Sequence, residues 1–486
     1  MLSSLALVVV IVIDQFRTDE LLRAQDGLNP AGIGLLVNKG IFYDDAHHSQ
    51  FFNMTCPGPI SLSTGAMPGL HGVMLNNDWD AASQKEIYCV ADPAEHWLSA
   101  EADEKEESLG TSGKRILVTT VADEMKNLWK DQTRIVSLSL KDRAAIGMAG
   151  HKADGVYWFA PKSKIWTTST AYNKSGKLPW WTTQFNKKLL SRTDLSLSLK
   201  DYSMTAAAVD DETDFALAAV EAENLGKHAK PDMLWISYSS HDVVGHHKGD
   251  DSKELKEIIK SEDKSIARLL TSLQKRLGKK KILVVLSADH GAGFDTSSDS
   301  SIPGGKINEE RFARELSDCL VKAGVKSKDD KPLADFTSMS LFLADSIKDK
   351  KQARIKAKEC QNNASEPIWQ AFTRDEIMSN QIPQTPWLKN LVSSYNPARG
   401  ADVIGVLKPY WNSSDHAIIN HETPYDYDSW VPLAIWYNGI KKQQVHRRAD
   451  ILSLAPTLSR ILQTRRPSGA TSEYLTEVLD SVTGQR

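Results

Sequence analysis

An α/β fold with a mostly parallel central sheet and helices on both faces is predicted by three features of the 486-residue chain. Short apolar runs alternate with amphipathic stretches of helical period. The runs are rich in Val and Ile and lack polar alternation, as strands buried on both faces do. Four of them end in ionisable residues, and in open α/β sheets ligands bind beyond the carboxyl ends of the strands. The chain reads as a single domain, residues 1–486, in which 150–205 and 295–415 are expected to be cap insertions.

The first run, LALVVVIVI, ends in Asp14. It has no Lys or Arg before it and no small-residue cleavage site after it, and it is too short to span a bilayer. It therefore reads as a buried strand, and an export signal is expected to be absent from this chain. A helix is predicted over Thr119 to Asp131, followed by the strand RIVSLSL, which ends in Lys141-Asp142-Arg143. A second helix is predicted over Asp214 to Leu225, followed by DMLWISYSS, which runs into His241-Asp242. The span Lys253 to Leu277 has a charged face and reads as a helix. KILVVLSA then ends in Asp289-His290, and VPLAIWYNGI follows His421 closely. Residues 150–205 are rich in Trp, Ser and Lys, and residues 295–415 are long, polar and interrupted by Pro. Both break the alternation, hence the expected caps. Trp180-Trp181 is expected to pack under a loop there.

Composition narrows the function. Hydrophobic residues make up 41% and charged residues 25%, and the formal net charge is -3. No field of one sign attracts nucleic acid, and nothing calls for stable membrane insertion. A small anionic substrate therefore needs a local site, and oligomeric state is not readable. The four cysteines, Cys56, Cys89, Cys319 and Cys360, form no C-x-x-C pair, which argues against a cysteine metal site. Two disulfides or buried free thiols are both compatible with them, and pairing is not legible.

Five short motifs carry chemistry. In Asn53-Met54-Thr55-Cys56-Pro57-Gly58-Pro59 a hydroxyl precedes a turn into a helix, whose N–H groups would favour an anion. Asp242-Val-Val-Gly-His246 places a carboxylate and an imidazole on one face of a helical turn. Asp289-His290-Gly291 follows an apolar strand, where both side chains can reach a cleft. His421 lies in a polar loop, and Lys141 and Arg143, two apart at a strand end, would face one way. Taken singly, each is more often structural: a capped turn, a solvated strand end or a surface imidazole. Together, Asp14, Thr55, Asp242, His246, Asp289, His290 and His421 supply nitrogen and oxygen donors of the kind zinc takes. They divide into two sets, and two metals can clamp the attacking and leaving oxygens of an in-line displacement. His241 and His247 flank these positions and are expected to be exposed.

The ordered set resembles the alkaline phosphatase superfamily, most closely the phosphate-irrepressible bacterial alkaline phosphatases. The resemblance runs through VIDQFR, the Thr55 loop, MPGLHG, NNDW, SLKDRAAI, AGHKADGVYW, SYSSHDVVGHH, LSADHG, HETPYDYDSWVPL, ADILSLAPTL and PSGA. It implies two zinc ions, one held by Asp242, His246 and His421, the other by Asp14, Asp289 and His290 with Thr55. It implies phosphate monoester hydrolysis through a covalent phospho-threonine at Thr55, with Lys141, Arg143 and an Asn on the phosphoryl oxygens. Counting from His71 that Asn is Asn76; counting back from Trp79 it is Asn77. The family's His, four residues after the nucleophile, is Pro59 here. A periplasmic or secreted location and small phosphorylated substrates follow from the same resemblance. The alternative is a phosphodiesterase or nucleotide pyrophosphatase on the same two-zinc scaffold, with the Trp-rich insertion supplying an apolar pocket. A sulfatase is excluded, because Cys56-Pro57-Gly58-Pro59-Ile60 fails the Cys-x-Pro-x-Arg pattern at both the Pro and the Arg.

Overall fold

The computed structural model describes residues 5–80, 83–98, 110–192, 197–278, 282–296, 301–365, 367–414 and 416–483. Nine strands form the main sheet. In chain order they are β1 (Leu7–Ile13), β2 (Ile41–Tyr43), β3 (Ile135–Ser139), β4 (Gly155–Ala160), β5 (Ile165–Thr167), β6 (Asp232–Tyr238), β7 (Ile282–Ser287), β8 (Leu433–Tyr437) and β9 (Gln443–Val445). Their spatial order is β9-β2-β8-β7-β1-β6-β3-β4-β5. The five strands from β7 to β4 are mutually parallel. Strand β8 runs antiparallel to both β7 and β2, and β5 antiparallel to β4.

The all-apolar sequence of β1 places it at the centre, with every residue from Leu7 to Ile13 fully buried. A run apolar on both faces can be satisfied only where the sheet is covered on both sides. The topology then fixes the site. Strands β1, β3, β6 and β7 are parallel, so Asp14, Lys141, Asp242 and Asp289 emerge at one sheet edge. Because β8 is antiparallel, its amino end, preceded by the His421 loop, returns to that edge.

Of the predicted helices, Lys253–Leu277 forms with those bounds, and the first is shorter, Val121–Trp129. The second begins earlier than expected, at Ala206, where the Thr205 side chain caps the Ala208 N–H. Its alanine-rich first turns show little amphipathic contrast, which hid the start.

Residues 150–205 are not a cap. They supply β4 and β5, the sheet's own edge, where Trp158 and Trp166 are fully buried. Trp166 stacks on Phe215 at 4.1 Å between ring centroids. Trp181 is buried against Tyr157 and Phe215, while Trp180 is 76% exposed. The described part of the 295–415 region contributes no strand to the main sheet. It holds a four-stranded antiparallel sheet in the order Leu333–Thr337, Ser340–Leu343, Val403–Leu407, Ile368–Thr373. This region has its own core around Phe312, Leu316 and Leu341. A further apolar cluster joins its Phe342, Phe372 and Ile404 to Phe51, Phe52 and Met54, just before the nucleophile candidate.

All four cysteines are paired, Cys56 with Cys89 and Cys319 with Cys360, so the free-thiol reading falls. No helix among the described residues is long and apolar enough to cross a membrane.

Candidate active site

Thr55 lies in the turn before helix α1 (Pro57–Thr64) and is buried. The first turn of α1 does not offer the free N–H groups expected for an anion. Pro57 and Pro59 have none. The Cys56 N–H donates to Asn76 Oδ1 at 2.9 Å, and the Gly58 N–H to the Met54 carbonyl at 3.0 Å. Gly58 instead permits close approach: a Cβ there would lie 2.3 Å from the Asp289 carbonyl oxygen. This contact seats the Thr55 turn on the end of β7. Gly58→Ala is therefore expected to cost about 1–3 kcal/mol by overpacking, read as a lower chemical-denaturation midpoint, and to displace Thr55 from the site.

Two groups of three donors meet beneath Thr55. Asp14, Asp289 and His290 form one, and Asp242, His246 and His421 the other. In each, the candidate ligand atoms lie within 4.8 Å of one another. Asp242 and His246 sit one turn apart on helix α2 (Ser240–Lys248), with Oδ1 and Nε2 at 3.1 Å. The His421 Nε2 lies 3.8 Å from Asp242 Oδ1. The His290 Nε2 lies 3.4 Å from Thr55 Oγ1 and 3.4 Å from Asp14 Oδ1. The groups abut where the His290 and His421 rings stack at 3.8 Å.

The donor set fits metal ions. Each histidine turns Nδ1 to a backbone carbonyl: His246 to Ile419 at 2.8 Å, His290 to Gly291 at 2.9 Å, His421 to Asn53 at 2.7 Å. A carbonyl only accepts, so each Nδ1 carries a proton, which leaves Nε2 as the nitrogen that can bind a metal, as in histidine ligands oriented from behind. Asp14 Oδ1 and Asp289 Oδ2 are buried with no hydrogen-bond partner, and such atoms are costly unless a cation meets them. A cation already stands between the groups: the Lys141 ammonium lies 2.6 Å from Asp14 Oδ2 and 2.5 Å from Asp242 Oδ2.

The charges respond to this crowding. Burial, with Asp242 and Asp289 alongside, pushes Asp14 up to about 7. Burial raises Asp289 to about 6. Burial also acts against ionised Asp242, but His246 and Lys141 outweigh it and hold that carboxyl well below the usual range. Burial lowers Lys141, yet Asp14 and Asp242 raise it further than burial lowers it.

Lys141 and Arg143 reach the site by a route other than the predicted one. Strand β3 ends at Ser139, Lys141 caps helix α3 (Asp142–Ala149), and Arg143 lies in its first turn. Their direction is set by the helix start, not by strand alternation. Arg143 Nε has no hydrogen-bond partner. Asp142, between them, accepts from the Tyr88 hydroxyl at 2.6 Å. Of the two Asn candidates, Asn76 meets the Thr55 turn, whereas Asn77 opens a small strand opposite Tyr88.

His241 is buried, contrary to expectation, with Nε2 3.3 Å from Glu20 Oε2; His247 is partly exposed. Two residues at the site were missed. Gln15, in the left-handed region at φ 69°, donates its backbone N–H to Asp289 Oδ1 at 3.2 Å and its side-chain amide to Asp242 Oδ1 at 2.9 Å. It thus links both donor groups. Asn53 accepts from His421 and from the Glu422 N–H through its carbonyl, and donates its side-chain amide to Thr423 O at 2.7 Å. Only adjacency to Asp14 and Thr55 could have marked them.

The chain is similar to known proteins over most of its length. Alkaline phosphatase PhoV of Synechococcus elongatus is 28% identical over 527 residues, covering 97% of this chain and 92% of that protein. Alkaline phosphatase PafA of Elizabethkingia meningoseptica is 28% identical over 533 residues, covering 97% and 94%. The crystal structure of wild-type alkaline phosphatase PafA superposes with a TM-score of 0.88 at 25% identity, covering 97% of this chain and 98% of that one. The sequence model of the type I phosphodiesterase / nucleotide pyrophosphatase family matches residues 8–423. The chain belongs to the type I phosphodiesterase / nucleotide pyrophosphatase family, within the alkaline phosphatase superfamily.

Proposed function

We propose that this phosphoester hydrolase is an alkaline phosphatase, a phosphate monoesterase with Thr55 as nucleophile and two zinc ions per chain. The observation that carries the reading is the convergence of Thr55, two nitrogen–oxygen donor groups and the cations Lys141 and Arg143 at one sheet edge. The names of the relatives described above support the same activity.

Asp242, His246 and His421 would hold one zinc, and Asp14, Asp289 and His290 the other, beside Thr55. Such ions supply Lewis acidity to the entering and departing oxygens of the displacement. Thr55 Oγ attacks phosphorus in line, its bond to phosphorus forms as the ester O–P bond breaks, and the alcohol leaves. Water then cleaves the phospho-threonine from the opposite side and releases phosphate. Phosphoryl transfer depends mainly on positioning and charge stabilisation. A monoester dianion carries two charges, which the Arg143 fork and the Lys141 point charge match. Lys141 becomes available to substrate once Asp14 and Asp242 are neutralised by other cations. Asn76, fixed by its bond from Cys56, supplies a neutral contact.

The diesterase alternative needs room for a second ester group. The tryptophans expected to build it are buried at the sheet edge, except Trp180, which is exposed. The cavity adjoining His421, lined in part by Phe51, Phe52 and Leu407, measures ≈ 20 Å³, space for about one water. The test compares kcat/KM for phenyl phosphate and methyl phenyl phosphate. A large monoester preference supports the proposal, and equal rates or a diester preference overturn it.

Metal affinity should depend on pH in one direction. A cation must displace the protons that Asp289 and Asp14 hold up to about 6 and about 7. Affinity of the stripped protein for zinc is expected to rise with pH through that window and level off above it. Chelator-competition titrations would show this, and a profile flat from pH 5 to about 8 would contradict the assignment. Two disulfides favour an oxidising compartment, the periplasm or the cell exterior.

A further inference from the structure

We infer that Tyr88 and the Cys56–Cys89 disulfide are positioning residues that hold Arg143 and Asn76 on the phosphoryl group; the inference rests on the monoesterase reading. Tyr88 and Cys89 close a small hairpin of strands Asn77–Asp80 and Lys85–Tyr88, which forms a two-stranded sheet of its own. Hairpins of this size are at best marginally stable alone. Two of its attachments lie at the end nearest the site. The disulfide joins Cys89 to Cys56, the residue after the nucleophile. The Cys89 N–H donates to the Asn76 carbonyl at 3.0 Å, while Asn76 Oδ1 accepts from the Cys56 N–H at 2.9 Å. Cys56, Asn76 and Cys89 therefore close a ring of one covalent and two hydrogen-bonded links, and Thr55 is the next residue out.

The neighbouring residue extends the ring to the cation. The Tyr88 hydroxyl donates its proton to Asp142 Oδ1 at 2.6 Å, which leaves its lone pairs for the adjacent Arg143 guanidinium. Asp142 Oδ1 also accepts the Arg143 backbone N–H at 2.8 Å. One phenol thus holds the carboxylate at the start of the helix carrying Arg143 and lies beside the arginine side chain. Asp78, on the same hairpin, is buried and paired with Arg115 at 3.1 Å, which anchors the far strand. The hairpin therefore acts as a strut from the nucleophile turn to the arginine, with the disulfide as its covalent end.

The test is a double-mutant cycle with the zinc-loaded full chain. Tyr88→Phe keeps the ring and removes the hydroxyl. It is expected to lower monoester kcat/KM and to weaken inhibition by inorganic phosphate, each by about tenfold, the scale of one charge-assisted hydrogen bond. In an Arg143→Ala background the same substitution should change neither, because the group it positions is gone. The paired variant Cys56→Ser/Cys89→Ser should act in the same direction, and part of its loss should remain in the Arg143→Ala background, because Asn76 is still there to be displaced. Equal loss in both backgrounds, or no loss in either, overturns the inference. Phosphate inhibition reads the coupling even if the ester comparison goes against the monoesterase, so the two failures are distinguishable. A fall in Tm without the coupling would show a merely structural strut, and would also overturn it.

Discussion

Thr55→Ala is expected to lower kcat/KM for a phosphate monoester by about 10³-fold or more, the scale seen when a covalent nucleophile is removed. Thr55 is buried with its hydroxyl 3.4 Å from the Nε2 of His290, whose ring stacks on His421 of the other donor group. Ala keeps the backbone turn and deletes only that oxygen and a methyl group. Helix α1 is anchored by other contacts, including the Gly58 approach to Asp289 and the Cys56–Cys89 bond. Folding should therefore survive, with Tm shifted by no more than a few degrees, and zinc content should be largely kept. Thr55→Ser restores the hydroxyl and should recover most of the rate. If Thr55→Ala retained wild-type turnover, direct attack by water would replace the covalent route.

Arg143→Ala should reduce monoester kcat/KM by about 10²–10³-fold, as loss of a preorganised charge-stabilising contact does. Its effect on a diester should be far smaller, because a diester presents one charge less. Arg143 Nε is buried without a partner, so the guanidinium has spare donors for a ligand. Lys141→Ala should show the same preference, with an added consequence. Its ammonium bridges Asp14 and Asp242, one carboxylate from each donor group. Removing it from the stripped protein leaves those carboxylates facing one another, and stability should fall until metal is restored. Steady-state rates on both esters, with melting curves before and after zinc loading, separate the two roles. A uniform loss on both esters would contradict the charge-matching argument.

The parts legible in the sequence were those with a simple local cause. The apolar run at Leu7–Ile13 marked a central strand because only a doubly covered strand can be apolar on both faces. Asp242 and His246 were legible because helical spacing puts i and i+4 on one side. Asp14, Lys141 and Asp289 were legible as strand-end residues, since parallel strands bring such ends together.

What remained hidden depends on contacts distant in sequence. The 150–205 segment read as a cap because Trp-rich text does not say which partner a short strand will find; its partners were β3 and its own neighbouring strand. The helix start before Thr55 suggested an anion site, yet two prolines and the Asn76 side chain use up its donors. His241 read as exposed because its partner, Glu20, is 221 positions away. Gln15 acts through a left-handed backbone turn that no local pattern announces. The family resemblance supplied the grouping of donors; the carbonyls behind each imidazole supply a physical reason for it.

The most direct test of the central claim is an acid quench of zinc-loaded enzyme during turnover of a labelled monoester, followed by peptide mapping. Phosphate on the peptide containing Thr55, absent from Thr55→Ala, is the result expected. Phosphate on another residue, or turnover with no phosphorylated peptide at any quench time, would contradict a Thr55 nucleophile.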